Sequence, residues 1–182
     1  MRIIIICFFL SISIPQDFPV IGSDNSLDIL TWNIETFPKH NQTINYLIHI
    51  INDIDVDIIA LQEITNQNDF DELISMLDGD WSGYRSANTN YGEISYLINN
   101  NSIEIVHYPY TILSEYEHYF AYREPYVIEI KFNNVEYILI NNHFKCCGDG
   151  YLNDGDYWDE EYRRLQASRY LKTYVDNNMS LD

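Results

Sequence analysis

The first half of the chain alternates short apolar runs with segments in which apolar residues recur every three to four positions. Residues 27–34 predict a strand, and residues 57–64 are nearly continuous in apolar character, as expected of a strand buried on both faces. Between these runs, residues 41–54 place five apolar side chains on one helical face, namely Ile44, Leu47, Ile48, Ile51 and Ile54. Residues 68–77 predict a second amphipathic helix, with Phe70, Leu73, Ile74 and Leu77 facing inward.

Beyond Trp81 the pattern changes to closely spaced strands. Four are predicted, at residues 93–98, 103–108, 125–132 and 135–141. The pair Asn133-Asn134 between the last two is typical of a two-residue hairpin turn. These strands therefore form, at least in part, an antiparallel arrangement.

The last part of the chain combines an acidic loop with a helix. The loop spans residues 145–157, and the helix is predicted over 158–176, with Tyr162, Leu165, Leu171 and Val175 as core contacts. No repeat or Pro/Gly-rich linker divides the chain after residue 27. The sequence thus predicts one domain, over residues 23–182, of the α+β class with helices covering a mixed sheet.

The N-terminus has the pattern of a secretory signal peptide. One basic residue, Arg2, precedes an unbroken apolar run at residues 3–10 that is too short to span a bilayer comfortably. We expect a signal segment over about residues 1–22, a secreted or periplasmic product, and no stable membrane association after cleavage. An uncleaved N-terminal anchor is the alternative, since no A-x-A-like cleavage triplet is present.

The negative net charge of the chain limits how the protein can bind an anionic substrate. The sequence has 28 acidic and 10 basic residues, for a formal net charge of -18. A broad cationic surface of the kind that drives most nucleic-acid binding is therefore excluded. An anionic substrate needs a local cationic site, and a bound divalent metal ion is one way to supply it.

Three polar residues stand at the ends of apolar strands, where packing does not call for them. Asn33 follows LTW, Glu63 follows IALQ, and His143 follows YILINN. Each alone has an ordinary structural explanation as a turn former, a solvated carboxylate or a surface histidine. Three such residues at equivalent strand ends, where sites are commonly assembled, indicate a functional site.

The motifs LTWNIETF, DIIALQEI, YGEISYLI, REPYVIEI and YILINNHFK resemble, in this order, those of the endonuclease/exonuclease/phosphatase family, and several are similar to deoxyribonuclease I. The resemblance covers residues 27 to about 175. It implies a deoxyribonuclease I-like layered sandwich. We expect this chain to hold mainly the first sheet with its flanking helices, and the C-terminal half of the fold to be missing.

The resemblance also implies a metal site. Glu63 matches the carboxylate that holds the catalytic divalent cation, and Asn33 matches the amide that positions the metal and the scissile phosphate. A carboxylate ligand suits Mg²⁺, or alternatively Mn²⁺. A structural Ca²⁺ in the acidic loop is less favoured than a solvated loop, because the spacing of its carboxylates is not that of an EF-hand.

Further roles follow from the same resemblance. His143 matches the histidine of acid–base chemistry, and Glu93 matches the carboxylate that orients it. Arg123 matches an arginine that contacts substrate phosphate, and Tyr91 matches a substrate-contacting tyrosine. The implied activity is metal-dependent phosphodiester hydrolysis, as a DNA endonuclease. A phospholipid or inositol-phosphate hydrolase and a catalytically dead binding module are the alternatives; the oligomeric state stays open.

The sequence departs from the family pattern at its C-terminal end. Family members have a GDxN motif and a terminal aspartate–histidine pair, and no GDxN occurs in this sequence. Because a positioned proton-transfer group contributes about 10²- to 10⁴-fold in rate, we expect the chain by itself to be inactive or nearly so.

Two adjacent cysteines, Cys146 and Cys147, remain once the signal segment is removed. A bridge between neighbours would be strained, because consecutive Cα atoms lie about 3.8 Å apart and disulfides prefer roughly 4.4 to 6.8 Å. We expect two free buried thiols or a bridge to a partner outside the chain.

Overall fold

The structure is a computed structural model and describes residues 20–86 and 93–179. Most of the expected signal segment lies outside the described residues. In the part of the chain that is described, no helix is both long enough and apolar enough to cross a membrane.

The first sheet carries both predicted amphipathic helices on one side. Its elements in chain order are β1 (Ile29–Phe37), α1 (Thr43–Ile54), β2 (Ile58–Ile64), α2 (Gln67–Met76), β3 (Trp81–Arg85) and β4 (Glu93–Asn99). The strand order is β1-β2-β4-β3, with β1 parallel to β2 and the other pairs antiparallel. β1 and β2 are parallel because α1 connects them as a crossover helix.

The second sheet contains β5 (Glu104–Thr111), β6 (Tyr126–Phe132) and β7 (Val135–Asn141), all antiparallel and in that order. A 3-10 turn at Ser114–Tyr116 lies between β5 and β6. The predicted hairpin is confirmed: Asn133 and Asn134 have φ angles of 49° and 64°, the left-handed conformation that a tight two-residue turn requires. The helix α3 (Glu160–Asn178) ends the described chain.

Two apolar layers hold these elements together. One lies between the helices and the first sheet and includes Leu47, Ile51, Leu61, Phe70 and Leu73. The other lies between the two sheets, where side chains from β2 and β4 pack against side chains from β6: Ile58, Ile94, Tyr96, Tyr126, Ile128 and Ile130. The α+β layered sandwich that we predicted is confirmed.

One expectation about the sandwich needs correction. We expected mainly the first sheet, but strands of both sheets are present, and β6 covers the inner face of β2 and β4 because its alternate residues are apolar. The strands β1 and β7 each lie at one end of their sheet order, and Ile29, Val135 and Ile138 are exposed there. A cleft of about 340 Å³ opens between these two edges.

The contacts of α3 also differ from the prediction. The helix buries Arg163 and Ala167, whereas the four residues that we expected in the core are only half-buried. Arg163 is buried because its guanidinium donates a hydrogen bond from Nε to the backbone carbonyl of His118, at 2.9 Å. Tyr170 stacks on Tyr116 with ring centroids 3.8 Å apart, so α3 packs on the segment that follows β5.

Candidate active site

A double irregularity at the ends of β1 and β2 creates the site. The parallel pairing runs from Ile29–Ile58 to Asn33–Gln62 and resumes only at Phe37–Ile64. Within this break Glu35, Thr36 and Glu63 all have positive φ angles, at 39°, 59° and 65°. Such non-glycine residues are strained and are held in place by their surroundings, and they cluster at functional sites. The break turns the Glu63 side chain out of the strand alternation.

Glu63 is fixed by two hydrogen bonds from the β1 bulge. The Asn33 side-chain amide donates from Nδ2 to Glu63 Oε1 at 3.1 Å, and the Thr36 backbone N–H donates to Oε2 at 2.9 Å. Asn33 is oriented in turn, since the Glu35 N–H donates to its Oδ1 at 2.8 Å. The structure therefore brings Asn33 and Glu63 together, as the strand-end pattern indicated.

These contacts keep Glu63 ionised. Burial alone would raise the pKa of its carboxyl group. The hydrogen bonds from Asn33 and Thr36, with the nearby charges of His143 and Arg123, outweigh burial and lower the pKa below its ordinary value. The side chain is 24% exposed, so an anionic carboxylate faces solvent at the strand end.

His143 joins this pair from the other sheet. It follows the end of β7, and its Nε2 lies 3.6 Å from Glu63 Oε1 and 3.4 Å from Asn33 Nδ2. With Asn33 Nδ2 as the donor, Nε2 is the acceptor and the ring proton lies on Nδ1. His143 Nδ1 is buried and has no hydrogen-bond partner among the described residues.

The electrostatic surroundings favour a neutral imidazole. Burial is the largest effect and lowers the pKa of His143, the positive charge of Arg123 lowers it further, and Glu63 opposes both. The result is a pKa below the ordinary value. At neutral pH His143 is therefore an uncharged base beside an anionic carboxylate.

Arg123 supplies the positive charge of the site. It lies in the segment just before β6, within electrostatic range of Glu63 and Glu93. Burial lowers its pKa, but a guanidinium remains protonated at any physiological pH. Its Nε is buried without a hydrogen-bond partner in the described part of the chain. Such a donor suits an anionic oxygen of a ligand.

The structure places Glu93 beside the arginines. Glu93 begins β4 and is 2% exposed, Ser86 Oγ donates to its Oε2 at 3.4 Å, and it lies within electrostatic range of Arg85 and Arg123. Between the described residues Glu93 and His143 there is no hydrogen bond, so the structure does not bring this predicted pair together. Tyr91, the predicted substrate-contacting tyrosine, lies outside the described residues.

Sequence reasoning missed an amide pair that links the two sheets next to the site. Gln62 donates from Nε2 to Asn141 Oδ1 at 2.8 Å, and Asn141 donates from Nδ2 to the carbonyl oxygens of Leu61 and Ser95, both at 3.0 Å. Both side chains are buried. Gln62 precedes Glu63, and Asn141 lies two positions before His143. The signal that could have revealed this pair is an amide residue directly after each of the apolar runs at residues 58–61 and 138–140.

Arg85 in β3 was missed as well. Its Nε donates to the backbone carbonyl of Ile64 at 2.8 Å and its Nη2 to that of Thr65 at 3.2 Å. These contacts fix the chain just after Glu63. The residue could not be singled out from the sequence because β3 itself was not predicted.

The donor set fits a magnesium ion bound by one carboxylate. Mg²⁺ in proteins keeps several waters and is commonly held by one or two carboxylates together with substrate phosphates. Glu63 is ionised and part-exposed, as such a ligand must be. No cluster of three or more His, Cys, Asp or Glu side chains suited to a metal ion occurs among the described residues. Water and substrate oxygens would therefore complete the coordination.

A match to a known family assigns the chain. The sequence model of the Endonuclease/Exonuclease/phosphatase family matches residues 30–176, which is most of the protein. This chain belongs to the endonuclease/exonuclease/phosphatase family. The resemblance inferred from the motifs is thereby confirmed. A search of curated proteins found no sequence match.

Solved structures agree with the family fold. D. rerio TDP2 complexed with a single-strand DNA product superposes with a TM-score of 0.63 at 11% identity, covering 84% of this chain and 55% of that one. An endonuclease/exonuclease/phosphatase protein from Bacteroides vulgatus gives 0.56 at 16% identity, covering 83% and 60%. The mannosyl-6-phosphatase Bt3783 from Bacteroides thetaiotaomicron gives 0.54 at 11% identity, covering 85% and 62%. At these identities the likeness concerns the fold.

Members of the endonuclease/exonuclease/phosphatase family are phosphoesterases and nucleases, and they generally use divalent metal ions. The chain spans 55 to 62% of the length of these solved relatives.

Proposed function

We propose that this site hydrolyses phosphodiesters in DNA with a divalent cation, Mg²⁺ or Mn²⁺, held at Glu63. The observation that carries the proposal is the convergence of Asn33, Glu63 and His143 from two sheets onto one strand end, with Arg123 in electrostatic range. An ionised carboxylate can hold the cation, a neutral imidazole can transfer a proton, and a guanidinium can neutralise phosphate charge, and phosphoryl transfer uses these three functions.

Each side chain has a distinct part in this proposal. The cation, when bound, would neutralise charge that develops on the phosphoryl oxygens. Arg123 would pair with a phosphate oxygen through its guanidinium, whose Nε–H has no hydrogen-bond partner among the described residues. His143, neutral and with Nε2 facing Glu63 and Asn33, would take a proton from the attacking water or return one to the leaving oxygen. Asn33 would hold the side chains of Glu63 and His143 in position relative to each other.

DNA is the substrate that the motifs favour. The YGEISYLI and REPYVIEI segments resemble those of deoxyribonuclease I, and a TDP2 structure of the same fold was solved with a single-strand DNA product. A small or lipid phosphodiester is the second candidate, because the net charge of -18 repels a polyanion outside the site. For the same reason we expect cleavage of DNA to depend strongly on the divalent cation.

Cleavage assays on two substrates separate these candidates. Plasmid DNA and bis(p-nitrophenyl) phosphate are incubated with the protein in Mg²⁺, in Mn²⁺ and with chelator. The same chain, extended by whatever coding sequence lies downstream, is assayed in parallel, since the GDxN motif is missing from this sequence. Cation-dependent plasmid cleavage supports the DNA proposal. Hydrolysis of the small diester alone would favour the second candidate, and no hydrolysis by either chain would contradict a catalytic role.

We further propose that the protein is exported. The support is the apolar run at residues 3–10 behind Arg2. Expression of the full chain followed by N-terminal sequencing of the extracytoplasmic product tests this, with a new N-terminus near residue 23 expected. A product that keeps Met1 and stays with the cells would contradict it.

A further inference from the structure

The adjacent cysteines lie in the loop that begins just after His143. Both are free thiols and both are exposed, which corrects the expectation that they are buried. Cys147 Sγ donates a hydrogen bond to Cys146 Sγ, with the sulfur atoms 2.9 Å apart. Cys147 has a φ angle of 69°, a left-handed conformation that turns the two side chains toward the same side. Two thiols that touch each other in solvent form a vicinal dithiol.

The backbone around this dithiol is held by α3. Arg164 donates from Nη1 to the carbonyl oxygens of Lys145 and Cys147, both at 2.9 Å, and from Nη2 to Glu161 Oε1, also at 2.9 Å. Glu161 accepts a further hydrogen bond from the Gly150 N–H at 2.8 Å. Arg164 thus holds the carbonyl groups just before and just after the two cysteines. This restrains the backbone and keeps the sulfur atoms in contact.

The surroundings favour a reactive thiolate at Cys146. The hydrogen bond from Cys147 lowers the pKa of Cys146, burial opposes it, and the Lys145 ammonium, 3.9 Å from Cys146 Sγ, lowers it further. The pKa of Cys147 is raised by the same hydrogen bond. Exposed thiols beside a cation are the ones that exchange with disulfides, because the thiolate is the nucleophile.

We propose that Cys146 and Cys147 are a modification site: a low-molecular-weight disulfide such as glutathione disulfide oxidises them to an intramolecular disulfide. The Cys146 thiolate attacks one sulfur of glutathione disulfide, forms a mixed disulfide and releases one glutathione thiolate. Cys147 then loses its proton and attacks the Cys146 sulfur, which releases the second glutathione. The two cysteines lose two hydrogen atoms together, and the disulfide reagent gains them.

The proposed disulfide between Cys146 and Cys147 is a reversible modification beside the candidate active site. A disulfide between neighbouring residues is strained by the short Cα spacing of about 3.8 Å, and strained disulfides are readily reduced. Closing the ring draws the two sulfur atoms together from 2.9 Å, which is expected to disturb the contacts of Arg164 with the backbone of this loop. His143 lies three residues before Cys146, so oxidation is expected to lower hydrolysis. This last effect rests on the proposed function, whereas the modification does not.

Peptide mass spectrometry tests the modification directly. The chain with Cys7→Ser is incubated with glutathione disulfide, alkylated without reduction and digested with trypsin. Cleavage after Lys145 and Arg163 gives a peptide, residues 146–163, that contains both cysteines and no others. We expect this peptide to lose the mass of two hydrogen atoms and to regain it after dithiothreitol. The Cys146→Ser and Cys147→Ser variants are expected to carry one glutathione adduct instead.

Three outcomes would overturn the proposal. These are a wild-type peptide that is alkylated at both cysteines, one that carries only glutathione adducts, or one that is cross-linked to a second chain. Activity is read separately: a rate loss on oxidation in wild type, but not in Cys147→Ser, links the mark to catalysis. Oxidation without any hydrolysis in either redox state leaves the modification established and counts against the proposed function alone.

Discussion

The two packed layers of this protein differ in what they contain and therefore in what they do. The layer between the helices and the first sheet is built from apolar side chains such as Leu61, Phe70 and Leu73. The layer between the sheets is apolar at its centre but carries the buried amides of Gln62 and Asn141 at the end next to the site. The apolar contacts of the first layer stabilise the fold but are non-directional. The hydrogen bonds of the amide pair are directional and therefore fix the relative position of two strands.

Consecutive residues of β2 show this difference within one strand. Leu61 packs against the helices, Gln62 faces the second sheet, and Glu63 leaves the alternation at the bulge. In the chain extended by the coding sequence that lies downstream, which is the form expected to hydrolyse phosphodiesters, one substitution in each of these environments should therefore separate stability from catalysis.

The largest effect on the rate of hydrolysis is expected at Glu63, which belongs to neither apolar layer. Replacing Glu63 with Gln removes the anionic ligand, and we expect a loss of hydrolysis of on the order of 10³-fold or more, since a bound cation supplies several kcal/mol of charge stabilisation. The amide oxygen can accept only one of the two hydrogen bonds that Glu63 accepts, from Thr36 or from Asn33, so we expect a small fall in the melting temperature and a folded protein. Initial rates and thermal melts measure the two effects.

Glu35→Gln is the matched control for that substitution. Glu35 lies on the same bulge, but its carboxylate is exposed and forms an ion pair with Lys39 at 2.6 Å. We expect near wild-type rates from this variant. Equal losses in the Glu35 and Glu63 variants would show that the bulge, and not the Glu63 carboxylate, is what hydrolysis needs.

The next largest effect is expected at His143, which the second sheet positions beside Glu63. His143→Ala should lower kcat by about 10²-fold, because a positioned proton-transfer group is lost, while metal binding at Glu63 is retained. Single-turnover rates and Mn²⁺ affinity measure the two quantities. A normal turnover number would remove His143 from the chemistry.

The pH dependence gives a second measure of the same group. Because the pKa of His143 is lowered below its ordinary value of 6.5, the imidazole stays neutral down to that lower pKa and is protonated as the pH falls through it. The acidic limb of kcat/KM should therefore lie below pH 6.5 and disappear in His143→Ala. A limb that survives in the variant belongs to another group.

A substitution in the helix layer should act on stability alone. Leu73 in α2 is fully buried, and Leu73→Ala removes apolar contacts and leaves a cavity. We expect the free energy of unfolding to fall by about 3 kcal/mol, with an unchanged rate per folded molecule. Urea unfolding and active-site-normalised rates measure this. A lower rate in the folded fraction would mean that the helix layer also positions the site.

The amide pair should show a smaller stability effect coupled to a rate effect. Asn141→Ala leaves the carbonyl oxygens of Leu61 and Ser95 without their side-chain donor, which costs about 1 to 3 kcal/mol. Because Asn141 links the strands that carry Glu63 and His143, the rate per folded molecule should fall too. Asn45→Ala, on an exposed face of α1, is the control and should change neither quantity. An unaffected rate in Asn141→Ala would assign the pair to stability only.

The sequence predicted the elements whose apolar pattern is clear. The helices α1 and α2 were found because their apolar residues face one core. The strand β2 was found because it is nearly continuous in apolar character and buried on both faces, and the hairpin was found from Asn133-Asn134. The strand β3 was missed because all of its residues are half-buried, so that Trp81, Ser82 and Gly83 show no alternation. The core of α3 was predicted wrongly because Arg163 is buried through a hydrogen bond to the backbone, which hydrophobic periodicity cannot reveal.

The site was predictable only in part, for a related reason. Strand-end positions and family motifs indicated Asn33, Glu63 and His143, and the structure places these three together. The contacts that orient them depend on a bulge with three positive φ angles and on an amide pair between sheets. Both arise from three-dimensional packing, since neither the bulge at Glu35 nor the partner of Gln62 is encoded in a local pattern.

The most direct test of a cation at Glu63 beside a neutral His143 is a Mn²⁺ titration followed by NMR of the histidine rings. The chain has 5 histidines, and the His143→Ala variant assigns its resonances. A paramagnetic ion at Glu63 should broaden the His143 ring signals first, and this broadening should persist in Glu35→Gln and vanish in Glu63→Gln. Broadening of His143 that is unchanged in Glu63→Gln, or that appears first at another histidine, would contradict the account.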